Sequence, residues 1–385
     1  MSEHRSVLKN TMVYGVMSAV TTFALFVLYL VVARYLGAED FGRFSFAVAF
    51  VVLFVPLLDP GLYYLTVRDV ARKPELASHY LSHILTWKLL ASPLVLLLIC
   101  VIVQFLHDSA ITLQAVYLMA ISQILHSWKD AFRPILLARE MFDLDAISLA
   151  IERLSLLILV SASLVSGQGL LWVCWVFVLL RVLDLAIIAC VIRYKICPIS
   201  FGGHFSVVKE LVFTAFPIGA FYMTLSVYTY IDTVMLSVLK SDLHVGWYSA
   251  AFKVYEGPVL IPAIIGTVFM PRLSRLFVEN KEAFISLFER GIKYIVLASL
   301  VIGLNGMLLS EMIVDLSYGH DYANSVRVLE ILLAGLIFVF TINFLQTVMI
   351  SIDQQKVILY IALIGLVSNV FLNNKHENEI YYPFA

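Results

Sequence analysis

Apolar runs of 18 or more residues recur along the whole chain, and no other feature restricts its fold so severely. A run of that length spans a bilayer as a helix, because lipid satisfies no backbone hydrogen bond and the segment must close all of them internally. The composition agrees: 61% of the 385 residues are hydrophobic and 14% are charged, against roughly half and a quarter in soluble domains. The sequence predicts an all-α polytopic membrane protein. Its net charge of −1 advertises no nucleic-acid partner. Cys100, Cys174, Cys190 and Cys197 lie in or beside apolar segments without metal-ligand spacing, so they read as free thiols.

Eleven spans are expected, at 12–32, 44–65, 81–106, 111–125, 146–164, 170–192, 211–239, 247–269, 292–309, 328–350 and 357–372. The first has no small-residue cleavage site after it and reads as a retained helix. With the N-terminus inside, the inner connections carry seventeen Lys and Arg and the outer ones five, which orients the N-terminus to the cytoplasm. Lys129 and Arg133 are counted among those loop charges.

The stretch Leu36-Gly37-Ala38-Glu39-Asp40-Phe41-Gly42-Arg43-Phe44-Ser45 is a polar hinge, then a Gly-aromatic step, then a new apolar run. A similar design returns at Ser241-Asp242-Leu243-His244-Val245-Gly246-Trp247-Tyr248-Ser249, an offset of about 204 residues between Gly42 and Gly246. Internal repetition of this kind is a transporter signature. Two similar lobes are expected, six helices in residues 1–200 and five in 201–372, joined by the link at 193–210 and followed by a polar tail at 373–385. The second lobe is then one helix short, for which a truncated or frame-shifted product is the favoured explanation and a genuine eleven-helix protein the alternative.

No G-x-S-x-G elbow, H-E-x-x-H helix or phosphate-cradling G-x-x-x-x-G-K-[ST] loop is present, so neither hydrolase chemistry nor ATP use is indicated. Charges inside spans stand out instead, each costing about 2.5–3.5 kcal/mol to insert at a helix centre. Arg181 lies near the middle of the sixth span with Asp184 three residues on, where it can face it. The two form either a neutralised pair locking the bundle or a cationic site for a phosphate or acidic sugar. Lys88 sits two turns into the third span, its stem long enough to snorkel back to the headgroups. Glu152 and Arg153 are neighbours near the end of the fifth span and read as weak candidates.

Asp232, Lys253 and Glu256 lie at comparable depth in the seventh and eighth spans, with Tyr228, Tyr230, Tyr248 and Tyr255 around them. They read either as an ion pair among interfacial tyrosines or as a site where Asp232 or Glu256 exchanges a proton or sodium ion. Pro56, Pro60 with Gly61, Pro217, Pro258 and Pro262 are hinge candidates.

Several segments together resemble a known family. They are Ala33-Arg34-Tyr35-Leu36-Gly37-Ala38-Glu39-Asp40-Phe41-Gly42-Arg43-Phe44, Val67-Arg68-Asp69-Val70-Ala71-Arg72, Tyr230-Ile231-Asp232-Thr233, Val245-Gly246-Trp247-Tyr248-Ser249-Ala250-Ala251 and Leu316-Ser317-Tyr318-Gly319-His320-Asp321-Tyr322. The set is similar to bacterial O-antigen-type repeat-unit flippases of the multidrug/oligosaccharidyl-lipid/polysaccharide exporter superfamily. That resemblance implies a multi-pass protein of the bacterial inner membrane moving undecaprenyl-pyrophosphate-linked oligosaccharide between leaflets, by alternating access on a proton or sodium gradient. It implies no cofactor and no catalytic chemistry. Arg181, with Lys88, Lys253, Tyr228 and Tyr255, would meet substrate, and Asp232, Glu256 and Asp184 would couple or gate. A polysaccharide polymerase and a chain-length regulator are the partners it implies. A cation-coupled small-molecule exporter is the nearest alternative and a membrane polymerase the more distant one.

Overall fold

A computed structural model describes residues 2–354 together with Val357, Ile358, Tyr360, Ile361, Ile364, Gly365 and Ser368, and side chains from Met17 onward. Nine of the sixteen residues of the expected eleventh span lie outside the described residues, and the polar tail lies there entirely. The described residues form helices and loops with no strand. The helices are α1 (Ser2–Val52), α2 (Val55–Leu58), α3 (Leu62–Arg72), α4 (Ala77–Leu106), α5 (Ala110–Asp130), α6 (Arg133–Ala138), α7 (Phe142–Val165), α8 (Leu170–Lys195), α9 (Phe205–Leu239), α10 (Asp242–Glu279), α11 (Lys281–Leu308), α12 (Ser310–Tyr318), α13 (Ala323–Ala334) and α14 (Leu336–Ser351).

Eight of these, or nine with the 41° bent pair that meets at Gly335, are long and apolar enough to cross a membrane. The first crossing segment, Met17–Leu58, runs through Gly37 and takes in most of two of the expected spans. Gly37 alone leaves helical geometry there, at φ 76° and ψ 171°. Only glycine reaches that region without strain, so one residue turns the chain while helix continues on either side. Gly37→Ala is therefore expected to cost about 1–3 kcal/mol through backbone strain alone, since an added Cβ would touch nothing within 4 Å. Thermal unfolding in detergent checks this, and an unchanged midpoint would mean the turn tolerates a side chain.

The second expected span is broken. After α2 the chain passes Asp59-Pro60-Gly61, and Asp59 Oδ1 accepts hydrogen bonds from the amides of Gly61 (3.1 Å) and Tyr63 (3.2 Å). Proline cannot continue the ladder and Gly61, at φ 95°, takes a left-handed turn. Pro217, Pro258 and Pro262 by contrast stay inside continuous helices.

Two compact units result, Met1–Asp242 and Leu243–Ala385. In the first, α1 packs along α5, α7 and α9, while α8 lies against α5 and α7. An apolar cluster including Leu65, Leu81, Ile84, Phe132, Ile135, Ile188, Ile192 and Ala215 joins α3, α4, α6, α8 and α9. In the second unit α11 packs on α13 and α14, and the Tyr318 hydroxyl donates to the Ala250 carbonyl at 3.0 Å. Large apolar residues such as Leu94 (68% exposed) and Ile158 (63%) turn outward, as helices surrounded by lipid require.

Candidate functional site

Helices α5, α7 and α8 carry charges at one depth. Glu152 stands ten residues from the start of α7, Lys129 nine from the end of α6 and Asp184 eleven from the end of α8. At 1.5 Å per residue each lies roughly 14–17 Å from the end of its membrane-crossing segment, close to the middle of a 30 Å hydrocarbon layer.

There the charges neutralise one another. Glu152 accepts from both Lys129 and Arg181, and Lys129 Nζ lies 2.6 Å from Asp184 Oδ2. Side-chain exposure is 1% for Lys129 and 3% for Glu152, so the pairing is dry. Two cations and two carboxylates form a neutral chain. Arg181 Nη1 also reaches His126 Nδ1 at 2.7 Å. A guanidinium can only donate, so Nδ1 accepts and the ring proton sits on Nε2, 3.6 Å from Asp130 Oδ2. Nearer the start of α7, Arg133 grips Asp145 with two bonds of 2.7 and 3.0 Å and ties α6 to α7.

Arg153 is the exception. It is half-buried one residue beyond Glu152, and among the described residues no carboxylate lies within ion-pair distance of it. Its electrostatic neighbours are Glu152, Arg181, Arg133 and Tyr29. Lys88 is wholly enclosed, with Nζ 2.6 Å from Ser127 Oγ and 3.4 Å from the Leu58 carbonyl.

Four sequence expectations are corrected by this geometry. Arg181 and Asp184 belong to one cluster but do not pair; Glu152 and Lys129 stand between them. Glu152 lies at the centre of the cluster and not near a helix end, because α7 begins four residues earlier than the expected span. Lys129 and Arg133 are not loop charges, since α5 runs on past Leu125 to Asp130 and Arg133 opens α6. Lys88 turns inward rather than snorkelling, and its side chain is fully enclosed. Lys129 reads as a loop charge because His126-Ser127-Trp128-Lys129-Asp130 looks like the polar end of a span. The signal that could have found it is the excess of cations and carboxylates on three spans sharing one depth.

The remaining candidates are spread over both units. In the first unit Asp232 is half-buried and Tyr228 is 55% exposed, both on α9. In the second, Lys253 Nζ donates to Glu256 Oε2 at 2.8 Å, and Tyr255 is buried on the same helix. A separate polar network gathers on Asp242, the last residue of the first unit. Its carboxylate accepts from Thr112 (3.1 Å) and Ser237 (3.0 Å), with Arg43 Nε at 3.4 Å. Ser237 also contacts His107, in the turn between α4 and α5, whose burial pushes its imidazole below the usual range.

A bundle of long apolar helices, with neutralised charges at mid-depth and a broken span, defines a polytopic membrane protein. Comparisons agree. The fold is shared with an inward-facing multidrug resistance MATE family transporter of the MOP superfamily (TM-score 0.75, 13% identity, 90% of this chain and 84% of that one). It is shared equally with the lipid II flippase MurJ in an inward closed conformation (TM-score 0.76, 15% identity, 94% and 80%).

Residues 7–277 match the family model "Polysaccharide biosynthesis protein", and the chain belongs to that family. Residues 217–374 also match the MatE model. Among curated relatives, the capsular polysaccharide biosynthesis protein CapF of Staphylococcus aureus is 23% identical over 364 residues, 93% of this chain and 89% of its own. A Shigella flexneri protein named for O-antigen transport is 26% identical over 327 residues, 80% and 75% of the two chains. The chain is a transporter and not an enzyme.

Proposed function

We propose that this protein moves lipid-linked oligosaccharide repeat units from the cytoplasmic to the periplasmic leaflet of the bacterial inner membrane, for assembly of a surface polysaccharide. One observation carries the reading. Within the bundle of the first unit, each buried carboxylate (Asp145, Glu152 and Asp184) already has a cation, while Arg153 and Lys88 have no carboxylate at ion-pair distance among the described residues. Arg153 stays charged whatever its surroundings, and a guanidinium without a carboxylate suits a pyrophosphate. A guanidinium is the better phosphate ligand of the two, because its planar fork matches two oxygens at once. Arg153 is half-accessible whereas Lys88 is enclosed. The relatives named for capsule synthesis and O-antigen transport support the same substrate class.

The MatE match over residues 217–374 favours a second reading, an exporter of small molecules. Ion-gradient coupling is common to both readings, and a polymerase and chain-length regulator would act downstream of the first.

Complementation distinguishes them. In a strain lacking its own repeat-unit flippase and matched in sugar chemistry, the chain restores surface polymer. Arg153→Ala, equal in membrane abundance, lowers polymer roughly 10–100-fold, the worth of about 1.5–3 kcal/mol of charged hydrogen bonding. Arg153→Lys retains part of the activity. Rescue undiminished by Arg153→Ala would remove that residue from the site. No rescue, together with resistance to cationic drugs, would favour the exporter.

A further inference from the structure

Lys88 carries a property the transport reading does not use. It stands eleven residues into α4 and is fully enclosed, and the only other fully buried cation among the described residues, Lys129, has two carboxylates. Lys88 has a hydroxyl and a backbone carbonyl. The carbonyl is that of Leu58, the last residue of α2, where the helical ladder stops before Pro60 and Gly61.

Counting hydrogen bonds decides which form of the side chain fits. An ammonium has three donors and no acceptor. Ser127 Oγ has no other hydrogen-bond partner among the described residues. With an ammonium, the hydroxyl proton of Ser127 and one N–H find no acceptor, and a full charge sits in the interior touching no anion. With a neutral amine, Ser127 donates to the nitrogen lone pair and Nζ donates to the Leu58 carbonyl, leaving one N–H over. The enclosure suits the amine.

The charged groups that act on Nζ are Asp59, at the helix break, and Asp130, on α5, neither within ion-pair distance. Helices α3 and α9 and the 3-10 turn Pro74–Leu76 also pack on α4, and none of them brings a charge to it. Asp59 is engaged in capping the amides of Gly61 and Tyr63.

We propose that Lys88 is a proton-exchange site: its amine sits neutral between Ser127 and Leu58 in the closed arrangement and takes one proton from water when the break at residues 59–61 opens. One proton is bound on opening and released on closing, with no redox change. The site does not depend on what is transported. Its use in coupling transport to a proton gradient rests on the transporter reading above. It also differs from the carboxylates Asp232 and Glu256, which the sequence offers for that role.

The test uses the full chain in lipid nanodiscs with 15N-labelled lysine. Nζ resonances are followed across the pH range in which the protein stays folded. Lys88→Arg assigns the signal by its disappearance, and the wild-type spectrum alone suffices if that variant fails to fold. One lysine is expected to change protonation at a pH well separated from all the others. Lysines that all titrate together would overturn the proposal, as would a separate signal that survives in Lys88→Arg. In the complementation strain, Lys88→Met and Lys88→Arg, fixed as neutral and charged, both lose at least tenfold of the surface polymer. Full activity of both, with wild type active, would overturn the coupling role. A separate Lys88 signal together with no rescue by wild type would leave the proton site standing and sink the repeat-unit reading.

Discussion

Glu152→Leu is expected to lower stability by about 3–5 kcal/mol, the cost of stripping the partner from a buried charge. Glu152 is the shared acceptor of Lys129 and Arg181, so its loss leaves Lys129 with Asp184 and leaves Arg181 with His126 alone. The thermal unfolding midpoint in detergent should fall sharply, and membrane abundance with it. The double variant Glu152→Leu with Arg181→Leu should recover most of the loss, because the surviving Lys129–Asp184 pair is neutral. A single variant as stable as wild type would mean that water or lipid headgroups already solvate the cluster. The double variant also separates two roles for Arg181. If it folds and still supports surface polymer, Arg181 holds the bundle together and does not bind substrate.

The second large effect is steric, at the contact between α9 and the helix break. A Cβ on Gly219 would lie 2.4 Å from the Pro60 carbonyl carbon and 2.5 Å from its oxygen. Both are backbone atoms that cannot rotate aside. Gly219→Ala is expected to cost about 1–3 kcal/mol by overpacking. Gly61→Ala should cost more. Its Cβ would meet the Ala215 carbonyl oxygen at 2.5 Å, and the residue holds φ 95°, which adds roughly 1–2 kcal/mol for a non-glycine. Gly257→Ala is the control, since its Cβ meets nothing within 4 Å and it lies inside α10. Helix propensity makes that change stabilising by about 0.5–1 kcal/mol. Equal unfolding midpoints for Gly219→Ala and Gly257→Ala would show that α9 moves off the break at little cost.

Both sites show where sequence reading reached and where it stopped. Apolar runs of spanning length identified the membrane helices through α14, since lipid demands a helix wherever the chain crosses. Gly37 and the pair Pro60-Gly61 were legible as hinges, because the backbone rules for glycine and proline are local. Boundaries were less secure. Ending the fourth span at Leu125 cost Lys129 its place in the site, since a polar run inside a helix and one at its end look alike until a neighbour is present to neutralise it. Arg181 was visible as a buried charge, and Asp184 was the only partner that helical spacing could offer it. The structure gave Arg181 to Glu152 on α7 and Asp184 to Lys129 on α5.

The sequence by itself thus determined that the chain lives in a membrane, roughly where it crosses, and which charges must be explained inside. Only the tertiary structure decided which charges neutralise each other, that Arg153 has no counter-ion among the described residues, and that Lys88 is sealed against a broken helix. The reason is physical. Spacing along a helix specifies neighbours within that helix, whereas a buried charge is paired across helices, and their lateral order is set by packing that no period in the sequence encodes.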